Sequence, residues 1–180
     1  MNVGLLLLAH LLVGQPSESA SCGLVLEVTP LQQSVRPGQP PAATAILTNR
    51  GERSLTLVMP GDGSERGRRT PFVLWRFEPP TQLDIIGCGS ITGLEQGEVF
   101  VLAPGDSRVL GSVRAAQFLR AGSYKATVAY ENNPDAPFHG MPTKPHDEVE
   151  LARVRASDRC IVVAAEIQVV SEGTPVWEPW

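Results

Sequence analysis

Apolar and polar residues alternate along much of this chain, most clearly between Gly122 and Glu131. Tyrosine, alanine, valine and tyrosine occupy positions 124, 126, 128 and 130 and so share one face, while polar residues occupy positions 125, 127 and 131. This period of two is typical of a half-buried antiparallel strand. Shorter apolar runs predict further strands over 24–28, 43–49, 55–58, 72–77, 99–102, 108–113 and 161–170, with 34–35 continuing the first as a broken edge strand.

Turn residues separate these runs. The chain has 17 glycines and 16 prolines, and the pair Pro-Gly recurs at Pro37-Gly38, Pro60-Gly61 and Pro104-Gly105. Proline pre-sets the first central position of a type II turn and glycine accepts the positive φ of the second. We therefore predict an all-β fold, with one hairpin joining 43–49 to 55–58 and another joining 99–102 to 108–113.

Three segments carry a resemblance to a known family. Tyr124 stands two residues after the glycine that opens its strand, which resembles the tyrosine corner of immunoglobulin-like sandwiches. Together with Leu47–Gly51, Leu102–Ser107 and Ala121–Ala126, it is similar to the pattern of bacterial immunoglobulin-like domains, including proteinase inhibitors of bacilli. The resemblance implies an immunoglobulin-like antiparallel β-sandwich of seven to nine strands, with Trp75 as its buried tryptophan.

A second likeness covers most of the chain. Pro60–Ser64 reads Pro-Gly-Asp-Gly-Ser, and Arg69–Pro71 reads Arg-Thr-Pro. This loop is similar to one in uncharacterised bacterial proteins, and the likeness brings no known function with it.

A long connection precedes the last predicted strand. Residues 132–160 exceed an ordinary hairpin loop, so we expect them to form a functional insertion or an irregular cap. Within them, residues 147–156 predict a short helix, because acidic residues lead and arginines trail in agreement with the helix dipole. We expect the sandwich to span residues 22–172, followed by a tail at 173–180. Trp177 and Trp180 in this tail either pack back on the sandwich as a strap, which we favour, or form an exposed ligand.

The N-terminal residues predict where in the cell the protein is located. Val3–Val13 is an apolar run of 11 residues, too short to span a bilayer and suited to a signal peptide, with a break at Pro16 and small residues at 17 and 19–21. We predict a signal peptide over 1–21 and a secreted or periplasmic domain. The alternatives are a lipid anchor on Cys22 and a cytoplasmic protein with a mis-assigned start.

The three cysteines add a prediction about covalent structure. In an exported chain Cys22, Cys88 and Cys160 allow one bridge and leave one thiol over. Alternating strands bring all three to one end of the sandwich, and we expect Cys88 to pair with Cys160. The formal charge of −4 argues against nucleic acid as a partner.

The leading functional hypothesis is a non-enzymatic binding or structural module of the bacterial cell envelope, without a cofactor and without a membrane span in the mature chain. Its unknown protein or envelope partner would contact the 132–160 insertion, because loops at the ends of a sandwich vary without disturbing the core. The candidate binding residues are Asp62, Glu65, Arg66, Arg68, Arg69, His139 and His146.

Two alternatives come from other classes. The first is a proteinase inhibitor that presents Gly61–Pro71 to a protease cleft. The second is a metal-dependent enzyme with a site near Cys160, although the spacing of its candidate ligands fits no known zinc motif. These ligands are His139, His146, Asp147 and Glu148.

Overall fold

The protein is described by a computed structural model that covers residues 22–60, 72–81, 97–115, 118–135 and 148–175. Within these ranges the chain forms nine strands and one helix. The elements are β1 (Leu24–Pro30), β2 (Ser34–Val35), β3 (Ala42–Asn49), β4 (Leu55–Val58), β5 (Phe72–Glu78), β6 (Val99–Leu102), β7 (Ser107–Arg114), β8 (Gly122–Asn132), α1 (Glu148–Arg155) and β9 (Cys160–Ser171). The all-β prediction is confirmed, as are the positions of the strands and of the short helix.

The strands form two principal sheets and a small third one. One sheet has the order β1-β3-β7 and is antiparallel throughout. The other has the order β2-β9-β8-β5, and only the two-residue β2 runs parallel to its neighbour. The third is the antiparallel pair β4-β6. β1 packs across the interior against β9, so the first and last long strands meet between the two principal sheets.

One apolar cluster joins the sheets. In β8 the alternation seen in the sequence holds, because Tyr124, Ala126, Val128 and Tyr130 are all buried. Trp75, in the neighbouring strand β5, is 3% exposed and stacks against Phe77 with ring centroids 5.9 Å apart. The predicted buried tryptophan is therefore confirmed.

The tyrosine corner is also present in its local geometry. The Tyr124 hydroxyl donates a hydrogen bond of 3.1 Å to the carbonyl of Arg120, four residues upstream. This contact holds the approach to β8 against the core, as the sequence predicted. The resemblance to bacterial immunoglobulin-like domains as a family stays a prediction.

Two of the predicted turns lie within the described residues. At Gly38 and Gly105 the backbone φ is 91° and 83°, and each turn closes with a hydrogen bond between its first and fourth residues. The glycines are needed because positive φ is costly for other residues.

Both predicted hairpins are wrong in their pairing. β4 pairs with β6, while β3 lies between β1 and β7. The reason lies at Asn49, the last residue of β3. Its side chain donates hydrogen bonds to the carbonyl of Arg53 in the following turn and to that of Leu102 at the end of β6, so the chain leaves the sheet beside β6. The turn at 103–106 likewise connects strands of different sheets, β6 in the small sheet and β7 in the sheet with β1 and β3, so β6 and β7 do not form a hairpin.

Candidate functional site

The two described cysteines lie at one end of the sandwich. We call this region the cysteine end and define it by Cys22, the turn 49–53 and residues 157–160, together with the elements attached to them. Cys160 is fully buried at the start of β9, and Cys22 packs half-buried against the core just before β1. Their side chains are in hydrogen-bonding contact. Burial and this contact raise the pKa of the Cys160 thiol well above its usual value, so the group is protonated at neutral pH.

A close crossing of two glycines fixes the position of Cys22. Gly23 has a φ of +67°, and a Cβ built on it would lie 2.7 Å from the Cα of Gly51. The Arg50 amide donates a 2.7 Å hydrogen bond to the Gly23 carbonyl at the same point. A side chain at residue 23 would push the two segments apart, so glycine there is what lets Cys22 reach the interior.

Asn49 organises the turn beside this crossing. Its buried Nδ2 donates 2.9 Å hydrogen bonds to the carbonyls of Arg53 and Leu102, and its Oδ1 accepts one of 2.9 Å from the Gly51 amide. Every polar atom of the side chain therefore bonds to backbone. The residue ties β3 to the small β4-β6 sheet.

Asp158 joins the same sheet from the other side. Its carboxylate accepts a 2.7 Å hydrogen bond from the Thr56 amide and a 2.6 Å ion-paired one from Arg53. Burial opposes ionisation, but the bonds from Arg53 and Thr56 outweigh it and hold the pKa of the carboxyl below its usual value. The Asp158 amide also donates to the Thr56 carbonyl, so the two residues are joined twice.

The long connection is closed at its base. Buried Asn132, which ends β8, donates hydrogen bonds to the Ser157 hydroxyl at 3.0 Å and to the Asp158 carbonyl at 2.6 Å. Asp135 and Arg159 form an ion pair nearby. The two ends of the 132–160 insertion are therefore held together where they leave the sandwich.

Helix α1 is docked on the β4-β6 sheet. Val154 is 1% exposed and packs with Val58 and Val99 in a second apolar cluster. Arg153 donates a 3.0 Å hydrogen bond to the Val99 carbonyl and pairs with Glu150 at 2.6 Å. The opposite side of the helix faces solvent at Val149, which is 69% exposed.

The polar side chains of the cysteine end bond to one another and to nearby backbone groups. The side chain of Asn49 bonds only to backbone groups, while those of Asn132 and Asp158 each bond to one backbone group and one side chain. The Tyr130 hydroxyl donates a buried 2.8 Å hydrogen bond to the Val58 carbonyl. The described part of the chain contains no group of three or more His, Cys, Asp or Glu residues arranged to hold a metal ion. Its one helix has eight residues, and no helix there could cross a bilayer.

Comparison with known proteins identifies no relative. No family model, no curated protein and no solved structure matches this sequence.

Most of the side chains singled out from the sequence lie outside the described residues. These are Cys88, the loop residues Asp62, Glu65, Arg66, Arg68 and Arg69, both candidate histidines, His139 and His146, and the tail tryptophans. The signal peptide and the inhibitor loop Gly61–Pro71 fall outside them as well, so these hypotheses stay predictions. The structure does bring Cys22 and Cys160 to one end, as expected.

The residues that sequence reasoning missed are Asn49, Asn132 and Asp158. Each is a small polar residue at the end or start of a strand, where asparagine and aspartate commonly bind turn backbone. That signal is visible in the sequence. Their partners are not, because Asp158 binds Thr56 across more than 100 residues of chain.

Proposed function

We propose that this protein is a non-catalytic binding or structural module of the bacterial cell envelope, and that the 132–160 insertion forms its contact surface. The observation that carries the proposal is the anchoring of this insertion. Asn132 closes its base and Val154 docks its helix, so the described residues at both ends of the insertion are fixed to the sandwich. Binding segments held on a rigid scaffold in this way are a common solution for recognition.

The described portion of the insertion offers a surface for such contact. Val149 is a large apolar side chain that is 69% exposed on α1. A single exposed valine is ordinary on a protein surface. It is a suitable position for a crosslinking probe of this surface, because it lies on the helix whose other side is fixed to the sandwich.

Site-specific photo-crosslinking in cells of the source bacterium tests the proposal. We expect a benzophenone side chain at Val149 to give a discrete adduct with an envelope component. The matched control is Leu31, which is 53% exposed at the opposite end of the sandwich, beyond the far end of β1. Leu31 should give no such adduct.

Two results would contradict the proposal. One is equal crosslinking from both positions, which would indicate random collision and no defined surface. The other is recovery of the protein in the cytosolic fraction alone.

A further inference from the structure

We infer that Cys22 and Cys160 form a disulfide bond in the mature protein. Cys160 lies in the apolar core cluster, Cys22 packs against that cluster, and the two side chains contact each other. Cys22 just precedes β1 of one principal sheet, whereas Cys160 begins β9 of the other. A disulfide forms without backbone movement only when the Cα atoms of its two cysteines lie within about 7 Å of each other, so the two side chains must already be neighbours. The Gly23-Gly51 crossing holds one partner in place, and the β8-β9 pairing of Asn132 with Cys160 holds the other.

The solvent exposures of the two cysteine side chains determine which thiol reacts first with the oxidant. Cys22 is half-buried, whereas Cys160 is fully buried. The Cys22 thiolate attacks a small disulfide such as glutathione disulfide or an oxidised envelope protein, and releases one of its sulfurs as a thiol. Cys160 then attacks the mixed disulfide at the Cys22 sulfur and releases the second thiol. Two electrons and two protons pass from the cysteines to the oxidant, which is cleaved to two thiols.

The bridge has two consequences for the molecule. It joins the segment before β1 to the start of β9 and closes a loop of about 140 residues. Closing a loop of this length removes much of the conformational entropy of the unfolded chain, and this stabilises the folded protein. It also occupies the sulfur that a lipid anchor on Cys22 would need. The lipid-anchored alternative and the bridge therefore exclude one another, and Cys88 becomes the remaining thiol.

Within cells this inference rests on the proposed envelope location, because disulfides persist in oxidising compartments. The test is therefore made in vitro, where export plays no part. The full purified chain is equilibrated with a mixture of oxidised and reduced glutathione, its remaining thiols are alkylated, and it is digested with trypsin without reduction. Arginines separate the three cysteines, so each lies on its own peptide.

We expect a linked pair of peptides containing Cys22 and Cys160, with Cys88 alkylated. A link from Cys88 to Cys22 would overturn the inference, and so would a link from Cys88 to Cys160, the pairing that the sequence suggested. Three alkylated cysteines would overturn it as well.

Two variants supply a second readout. Cys88→Ser should keep the linked pair, and its oxidised form should melt about 10 °C above its reduced form. Cys22→Ser is nearly isosteric at a half-buried position, and it should lose both the pair and the difference in Tm. Equal melting of oxidised and reduced Cys88→Ser would contradict the bridge even if Cys22→Ser failed to fold.

Discussion

Single polar residues hold the cysteine end together, and Asp158 is the clearest case. Its carboxylate accepts hydrogen bonds from the Thr56 amide and the Arg53 guanidinium. Its backbone amide donates to the Thr56 carbonyl, and its backbone carbonyl accepts from the Asn132 side chain. Its side chain is 25% exposed, so the hydrogen bonds to it are partly shielded from water. Removing the charge leaves the Thr56 amide with a weaker acceptor.

We predict that Asp158→Asn lowers the free energy of unfolding by about 1–2 kcal/mol at pH 7. Because the folded-state pKa of this carboxyl is lowered, its contribution is fully present above the unfolded pKa of about 3.9 and is lost as the pH falls through the folded value. Urea unfolding from pH 7 to pH 2.5 should therefore show the wild-type and variant curves converging in acid.

Asp106 provides the control for this prediction. It is exposed in the turn before β7, and Asp106→Asn should change stability by less than about 0.5 kcal/mol at neutral pH. A gap between wild type and Asp158→Asn that stayed constant down to pH 2.5 would show that the carboxylate charge is not what stabilises this end.

At this scale the sequence predicts contacts that are local. The bond from Tyr124 to Arg120 spans four residues and could be expected from a glycine followed by a tyrosine at a strand start. The contacts of Asn49 and Asp158 could not, because their acceptors and donors come from strands far along the chain. Which backbone groups a polar side chain will meet depends on how those strands pair.

Among the elements, α1 depends on one buried valine. The helix has only eight residues, too few to be stable alone, so its docking must stabilise it. Val154 lies in the cluster with Val58 and Val99, while Val149 on the same helix is exposed. The two valines form a natural pair for comparison.

We predict that Val154→Ala lowers stability by about 1–2 kcal/mol, because it opens a cavity between α1 and the β4-β6 sheet. Val149→Ala should change it by less than about 0.5 kcal/mol. Hydrogen exchange should show faster exchange over 148–156 in Val154→Ala, with β8 and β9 unchanged. Equal effects of the two substitutions would mean that α1 is not docked through Val154.

Element positions were predictable from the sequence, but pairing was not. Period-two alternation and Pro-Gly turns locate the strands, because both follow from local backbone geometry. Pairing of β4 with β6 requires the chain to leave one sheet for another after Asn49, and nothing in a single sequence distinguishes that path from a hairpin. The helix α1 was predicted from its acidic start and basic end together with the spacing of Val149, Ala152 and Val154.

On the scale of the whole molecule, the cysteine end is where the sheets are tied together. β1 and β9 meet there through Cys22 and Cys160, the β4-β6 sheet is joined through Asn49 and Asp158, and the 132–160 insertion is closed by Asn132. An anchored insertion beside the proposed Cys22–Cys160 bridge is the arrangement that we expect of the proposed envelope module. The cellular location and the binding partner of the protein are predictions from its sequence.

Intact-mass analysis of the protein from the envelope fraction of its source organism, with and without reduction before alkylation, tests the proposed location and bridge most directly. We predict a chain that starts near Ser21 or Cys22 and carries one alkylated thiol before reduction and three after it. A full-length chain recovered from the cytosol with three thiols reactive at once would contradict both the envelope location and the covalent tie.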